Sequence, residues 1–139
     1  MRVEAALICM LGVACVATLE AQEGLDRAVS RAREAWMGHD VGALLSTSDT
    51  VRLDIPGTVT SAAMKPGQAG RVLERYIRGA DERGFDLVRV RRLEPSHAYA
   101  ELARVYVVKG TDEERREQVF FGFRLLEGVW RLREVRVTP

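Results

Sequence analysis

The aspartate at position 54 is the residue of this sequence best placed to perform acid-base chemistry. It lies between Leu53 and Ile55 in a short run that alternates apolar and polar side chains. A carboxyl group that faced an apolar interior would have a raised pKa and could act as a general base. The alternation favours another placement, in which Asp54 shares the solvent side of a strand with Arg52. Asp54 is therefore a catalytic candidate that the spacing itself argues against.

His97 and Tyr99 are two positions apart near the start of a later predicted strand, so their side chains share one face. Together they could assist a base at the mouth of a pocket. An exposed turn histidine beside a half-buried tyrosine gives the same spacing, and we favour that interpretation. No set of catalytic residues follows from these positions alone.

Other chemistries leave no pattern in the sequence. The two histidines are far apart and have no clustered carboxylates around them, so we predict no metal site. The serines lack a nucleophile-elbow motif, and the glycines do not form a phosphate-binding loop. We therefore expect no cofactor. The formal net charge of +1 gives no reason to expect binding to nucleic acid.

Aromatic side chains could line a pocket for a small apolar ligand. They fall at helical and strand spacings, which an ordinary core would also produce, so a filled interior is the alternative. The predicted ligand-binding residues are Trp36, Tyr76, Tyr99, Phe121, Phe123 and Trp130.

The elements that would position these residues follow from the apolar spacing. An amphipathic helix is predicted over residues 23–37, and Asp40 would cap a short second helix after the stop at Gly38. Residues 51–55 form a strand, with a short return strand over 58–61. Pro66 would begin a third helix that runs to about Arg78. Four further strands are predicted over residues 85–93, 97–108, 116–126 and 129–137.

The last two strands are joined at Glu127-Gly128, which indicates a two-residue hairpin. Pairing Leu126 with Val129 keeps the apolar residues together only if a bulge lies near Arg133-Glu134. The outer face would then carry four residues, among them the like-charge pair Arg124 and Arg131, and Glu101 of a neighbouring strand is a candidate carboxylate to lie between the two. These four are Phe120, Arg124, Arg131 and Arg136.

The N-terminus is typical of a secretory signal peptide. An uncharged, apolar stretch from Ala5 to Leu19 follows Arg2, and it is shorter than the roughly 20 residues of a spanning helix. Cleavage after Ala21 would divide the chain into a signal peptide, 1–21, and a mature domain, 22–139. We therefore expect export to the periplasm or the medium, and no membrane span in the mature chain.

Cleavage would also remove both cysteines, so the mature domain would have neither a disulfide nor a thiol ligand. A lipoprotein acylated at Cys15 and a buried N-terminal helix are the alternatives for this segment. Without disulfides the domain must depend on its core, which a chain of this length can build.

Several stretches resemble the nuclear transport factor 2-like superfamily, and within it a family of small exported bacterial domains of unknown function. They are "VRLDIPG", "GQAGRVLERYI", "GFDLVRV", "HAYAELA" and "GVWRLREVRV". Ile77 stands where that family has the second aromatic of a helical pair. The resemblance implies an α+β fold, the cystatin-like cone, with about three N-terminal helices on a curved antiparallel sheet of four to six strands. It implies no settled activity, because one fold serves many functions.

The leading hypothesis is an exported, non-catalytic domain that binds a small apolar ligand in the cone, or a protein partner on the sheet. A homodimer could form through the outer face, at Phe120, Arg124 and Arg131. The resemblance also allows a small enzyme of isomerase, dehydratase or epoxide-hydrolase type. That enzyme would use Asp54 as a base in the cone, with Tyr99 or His97 assisting. A purely structural protein with a filled cone is a third hypothesis.

Overall fold

The computed structural model describes residues 5–58 and 62–139 of the 139-residue chain. Its elements follow one another as helices first and strands later, as the apolar spacing predicted. They are α1 (Ala5–Met37), α2 (Val41–Leu44), β1 (Arg52–Asp54), α3 (Pro66–Ile77), β2 (Ala80–Glu94), β3 (His97–Val108), β4 (Glu114–Leu126) and β5 (Val129–Thr138). The return strand predicted over 58–61 lies largely outside the described residues.

The five strands form one curved, unclosed sheet in the order β1-β5-β4-β3-β2, and the helices pack on its inner face. Strands β2 to β5 are antiparallel hairpin neighbours, but β1 pairs with β5 in parallel. The sheet is therefore mixed, whereas we had expected a wholly antiparallel one. The difference arises because β1 and β5 are joined through α3 and three strands rather than by a tight turn.

The helix boundaries have local causes. Helix α1 ends at Met37, before Gly38 and a left-handed His39 with φ 52°. The Asp40 carboxylate then accepts a hydrogen bond from the Ala43 amide at 3.0 Å and caps α2. Pro66 occupies the first turn of α3, where its missing N–H costs nothing.

Helix α1 begins well before the predicted start at residue 23. The predicted start lay just after the expected cleavage site at Ala21, and the helix runs through this site without a break. Val16 and Leu19 in this early part are 56% and 64% exposed.

Aromatic rings fill the cone, by which we mean the space between the helices and the inner face of the sheet. The Trp36 ring stacks on Phe85 with the ring centres 5.2 Å apart, and Phe121 lies 5.9 Å from both rings. All three side chains are buried. Ala98 and Ala100 on β3 are also fully buried, and their small side chains leave the room that these rings occupy.

The predicted register of the last hairpin is confirmed. Leu126 pairs with Val129 and Phe123 with Leu132, and the partner of Gly122 is then Glu134. Arg133 is the extra residue of the predicted bulge. The bulge returns Val135 and Val137 to the interior, where both are buried.

The expected carboxylate between Arg124 and Arg131 is absent among the described contacts. Glu101 instead pairs with Arg89 at 2.9 Å. Arg131 donates to the Thr47 carbonyl at 3.0 Å, and Arg124 lies 3.2 Å from the His97 ring nitrogen. The two arginines thus have separate partners.

The hairpin turn provides a test of the fold. Gly128 has φ +75°, and a Cβ there would meet no atom within 4 Å, so only backbone strain opposes a side chain. We expect Gly128→Ala to lower the free energy of unfolding by roughly 1–2 kcal/mol. Gly67, which also has open space but no positive φ, is the matched control: Gly67→Ala should cause no loss. Denaturant unfolding measures both, and equal effects would contradict the assigned turn.

Candidate functional site

Asp54 lies on the outer face of the sheet. Its neighbour Leu53 is buried in the interior, and strand alternation turns the Asp54 side chain to the other side. Its register partner on β5 is Arg136, another outer-face residue. This is the placement that the alternation favoured, and it does not supply a base to the cone.

His97 and Tyr99 are also on the outer face, because the intervening Ala98 is fully buried inside. The Tyr99 hydroxyl donates to the Glu134 carboxylate at 3.1 Å. Burial, and then the negative charge of Glu134, raise the pKa of Tyr99. A Cβ on Gly122 would lie 3.1 Å from the Tyr99 ring, so this glycine makes room for it. Tyr99 therefore packs on the sheet exterior rather than lining the cone.

Four of the other predicted ligand-binding residues, Trp36, Phe121, Phe123 and Trp130, are buried core residues. Phe121 and Phe123 meet edge to face at 6.4 Å. The Trp130 indole donates to the Ala21 carbonyl at 2.9 Å, and this bond fastens α1 to β5. Among the six predicted residues, Tyr76 lines a cleft beside α3, Tyr99 lines a groove on the outer face, and Phe123 and Trp130 border depressions near α1.

Phe120, Arg124 and Arg131 lie on the outer face, as predicted. The Arg136 guanidinium covers the Phe120 ring, with its carbon 4.6 Å from the ring centre. A groove of about 220 Å³ beside it is lined by residues of four strands. Dimerisation through this face stays a prediction.

The most unusual polar residue of the interior is Arg104, which the sequence analysis did not single out. Its side chain is only 1% exposed and faces the cone from β3. Arg104 Nε donates to Glu82 Oε2 at 3.0 Å, and Nη1 donates to Glu117 Oε1 at 2.7 Å. A second bond runs from Nη2 to Glu82. The sequence did contain a signal: the buried alternation of Ala98, Ala100 and Leu102 continues to position 104.

Three aromatic rings enclose the same guanidinium. Its carbon lies 4.0 Å from the centre of Tyr106, 5.1 Å from Trp36 and 5.5 Å from Tyr76. Each ring face adds a favourable cation–π contact. Burial by itself would lower the pKa of Arg104, but the two carboxylates raise it above its ordinary value. The guanidinium therefore stays charged.

Two further residues complete what we call the Arg104 cluster: Arg104, Glu82, Glu117, Tyr76 and His39. The Tyr76 hydroxyl donates to Glu117. Burial, and next this hydrogen bond, raise the pKa of Tyr76 well above its ordinary value, so the phenol keeps its proton. His39 Nε2 lies 3.3 Å from Glu82 Oε1, at the surface end of the cluster.

A cleft of about 290 Å³ opens beside Tyr76, between α3 and the segment that contains β1. We call it the α3 cleft. Its lining is Leu53, Pro56, Gly57, Thr58, Met64, Val72, Arg75 and Tyr76. Of these described residues only Arg75 and Tyr76 are ionisable: arginine brings a cationic guanidinium with N–H donors, and the Tyr76 phenol keeps its proton. The lining can therefore bind and orient a ligand, with one fixed positive charge.

The described residues contain no group of three or more His, Cys, Asp or Glu side chains able to hold a metal ion. Nor does any helix in that part of the chain have the length and apolar character needed to cross a membrane.

Known structures resemble this arrangement, although no family model and no curated protein matches the chain. A ketosteroid isomerase-like protein from Erwinia carotovora atroseptica has TM-score 0.66 and 18% identity, over 82% of this chain and 94% of its own. A DUF4783 family protein from Bacteroides uniformis has TM-score 0.62 and 12% identity, over 78% and 93%. An NTF2-like protein of unknown function from Shewanella oneidensis has TM-score 0.60 and 10% identity, over 85% and 98%.

The fold is nuclear transport factor 2-like. At these identities the likeness shows the fold alone, and the function must be argued from this chain's own residues. The predicted cone is thereby confirmed.

The Arg104 cluster provides a second test. Arg104→Met leaves Glu82 and Glu117 buried without their counter-ion, so we expect the free energy of unfolding at neutral pH to fall by roughly 3–5 kcal/mol.

Arg83→Met is the control, because Arg83 forms an exposed pair with Asp81 at 3.1 Å. Arg83→Met should lower the free energy of unfolding by about 0.5 kcal/mol or less. Denaturant unfolding at neutral pH measures both variants. A loss of unfolding free energy for Arg104→Met as small as the control's would show that the cluster does not act as an ion pair.

Proposed function

We propose that this protein is an exported, non-catalytic domain that binds a small, mainly apolar ligand in the α3 cleft. The observation that carries this proposal is the lining of the cleft, which joins apolar walls to a single charged group, Arg75. Binding pockets of this kind are mostly apolar with a few polar groups that fix orientation. The volume is at the lower end of the usual range of about 300–1,000 Å³, which suits a small ligand.

The position of the cleft differs from our first expectation. We expected the ligand among the aromatic residues of the cone, but Trp36, Phe85 and Phe121 pack against one another and occupy that space. Tyr76 is the exception because it stands at the border, with its hydroxyl on Glu117 and its ring on the cleft. The Arg104 cluster thus supports binding by holding one wall of the cleft in place.

An enzyme of isomerase or dehydratase type is the second candidate, since solved structures with isomerase-like and dehydratase-like names share the fold. The specific observation in its favour is a pair of buried carboxylates, Glu82 and Glu117, just behind Tyr76. Both carboxylates are engaged by Arg104, and Tyr76 also donates to Glu117. A carboxylate that is already paired with Arg104 is poorly placed to take a proton from a ligand, and Glu117 also accepts a bond from the Tyr76 phenol. We therefore prefer binding.

Export is the part of the proposal that depends mainly on the sequence. It is supported by the uncharged stretch from Ala5 to Leu19 and by the exposure of Val16 and Leu19 in the structure. Cleavage after Ala21 would leave Gln22 as the first residue. Intact-mass measurement of the protein recovered from the periplasm should give the chain that starts at Gln22. A mass that includes Met1, or a lipid on Cys15, would contradict this.

A cleft-filling variant tests the binding site. Val72 lies on the cleft side of α3, and Val72→Phe should occupy part of the space that a ligand needs. We expect it to weaken binding of the neutral dye N-phenyl-1-naphthylamine roughly 10-fold, equivalent to about 1.4 kcal/mol. The readout is dye fluorescence during titration, with thermal unfolding to confirm that the variant is folded.

Val129→Phe is the matched control, because Val129 is exposed at the hairpin tip and does not line the cleft. It should bind the dye as the parent protein does. Equal dye affinity for the parent and Val72→Phe would show that the α3 cleft is not the binding site. Loss of binding in both variants would argue against this site as well.

A further inference from the structure

Arg75 is an exposed cation at the edge of the α3 cleft, and it differs from its neighbours on the same helix. Arg71 donates to the Gly67 carbonyl at 3.4 Å, and Arg78 pairs with Glu74 at 3.8 Å. Arg75 has no ion-pair or hydrogen-bond partner among the described residues. Its fork of N–H donors therefore remains available to a ligand in the cleft.

The charge around Arg75 is uncompensated within the described lining. Tyr76 is the other ionisable lining residue, and its phenol is neutral, since burial raises a pKa that already lies well above neutral pH. Glu117, which lies behind Tyr76, accepts bonds from Arg104 and from the Tyr76 hydroxyl. The cleft thus presents apolar walls and one positive charge at its edge.

We propose that the ligand is a small apolar carboxylate, a refinement that rests on the proposed function. Its apolar body would lie between Leu53, Met64 and Val72, and its carboxylate would pair with the Arg75 guanidinium. Guanidinium and carboxylate groups match in shape and form two parallel charge-assisted bonds. Because the Tyr76 hydroxyl is already bound to Glu117, Tyr76 offers the ligand the surface of its ring rather than a second polar contact.

The helix itself argues for a monoanion rather than a phosphate. Arg75 is in the last turn of α3, which ends at Ile77. The C-terminal end of a helix carries partial negative charge from its unpaired carbonyls, and this repels anions. The Arg75 guanidinium can compensate the repulsion between the helix end and a ligand with one negative charge. A ligand with two negative charges would need further donors. Phosphate sites usually have the opposite polarity, at a helix N-terminus.

A matched pair of probes tests this inference on the protein as purified, with the N-terminus that processing leaves. The probes are 2-naphthoate and 2-naphthalenemethanol, which share an apolar body and differ in charge. We expect 2-naphthoate to bind roughly 3- to 10-fold more tightly, as an Arg–carboxylate contact near the surface provides. Isothermal titration calorimetry gives both affinities, and added salt should narrow the difference.

Three variants assign the preference to one residue. Arg75→Gln should remove the preference for 2-naphthoate and leave the affinity for 2-naphthalenemethanol unchanged. Arg75→Lys should keep part of it, because the charge remains but the fork is lost. Arg71→Gln, one turn earlier on α3, should keep all of it.

The outcomes separate the two proposals. If both probes bind with equal affinity, or Arg75→Gln keeps the preference for 2-naphthoate, the inference about the carboxylate is wrong and the apolar binding site stands. If neither probe binds the parent protein, both proposals fail.

Discussion

The buried guanidinium of Arg104 is the constraint on which one end of the molecule depends. Removing a charge from water is costly, and a buried arginine is stable only where carboxylates and hydrogen bonds compensate it. Here Glu82 comes from β2 and Glu117 from β4, so the pairing joins three adjacent strands. The same carboxylate of Glu117 holds Tyr76 of α3, and the contact of Glu82 with His39 reaches the end of α1. Helices and sheet therefore meet around one charged group.

This arrangement determines where a ligand could enter. The rings of Trp36, Phe85 and Phe121 fill the interior next to Arg104, so the centre of the cone is occupied by the protein itself. The hydrogen bond to Glu117 holds Tyr76 at the edge of the filled interior, where Tyr76 lines the cleft between α3 and the segment that contains β1. The Arg104 cluster and the α3 cleft thus share Tyr76, and the polar contacts of the cluster position one wall of the cleft.

The sequence predicted local features well and long-range ones less well. Alternation alone yielded the register of the last hairpin and its bulge at Arg133, since a slip of one residue would have buried Glu134 and Arg136. The parallel pairing of β1 with β5 could not be seen, because it joins segments separated by most of the chain. Arg104 was overlooked because an arginine in a strand is usually exposed. Its burial depends on partners from β2 and β4, which only the folded chain brings together. The α3 cleft likewise exists only once β1 and α3 lie side by side.

The most direct test of this account is where a bound apolar carboxylate lies. Methyl ¹H–¹³C spectra recorded during titration with 2-naphthoate would locate it, because ring currents shift nearby methyl resonances. The account predicts saturable shifts at Leu53, Met64 and Val72 of the α3 cleft. The methyl groups of Leu102 and Leu132, which are buried in the core, should stay in place. Saturable shifts confined to those core methyl groups, with none at the cleft, would contradict the account and place the ligand among the aromatic rings instead.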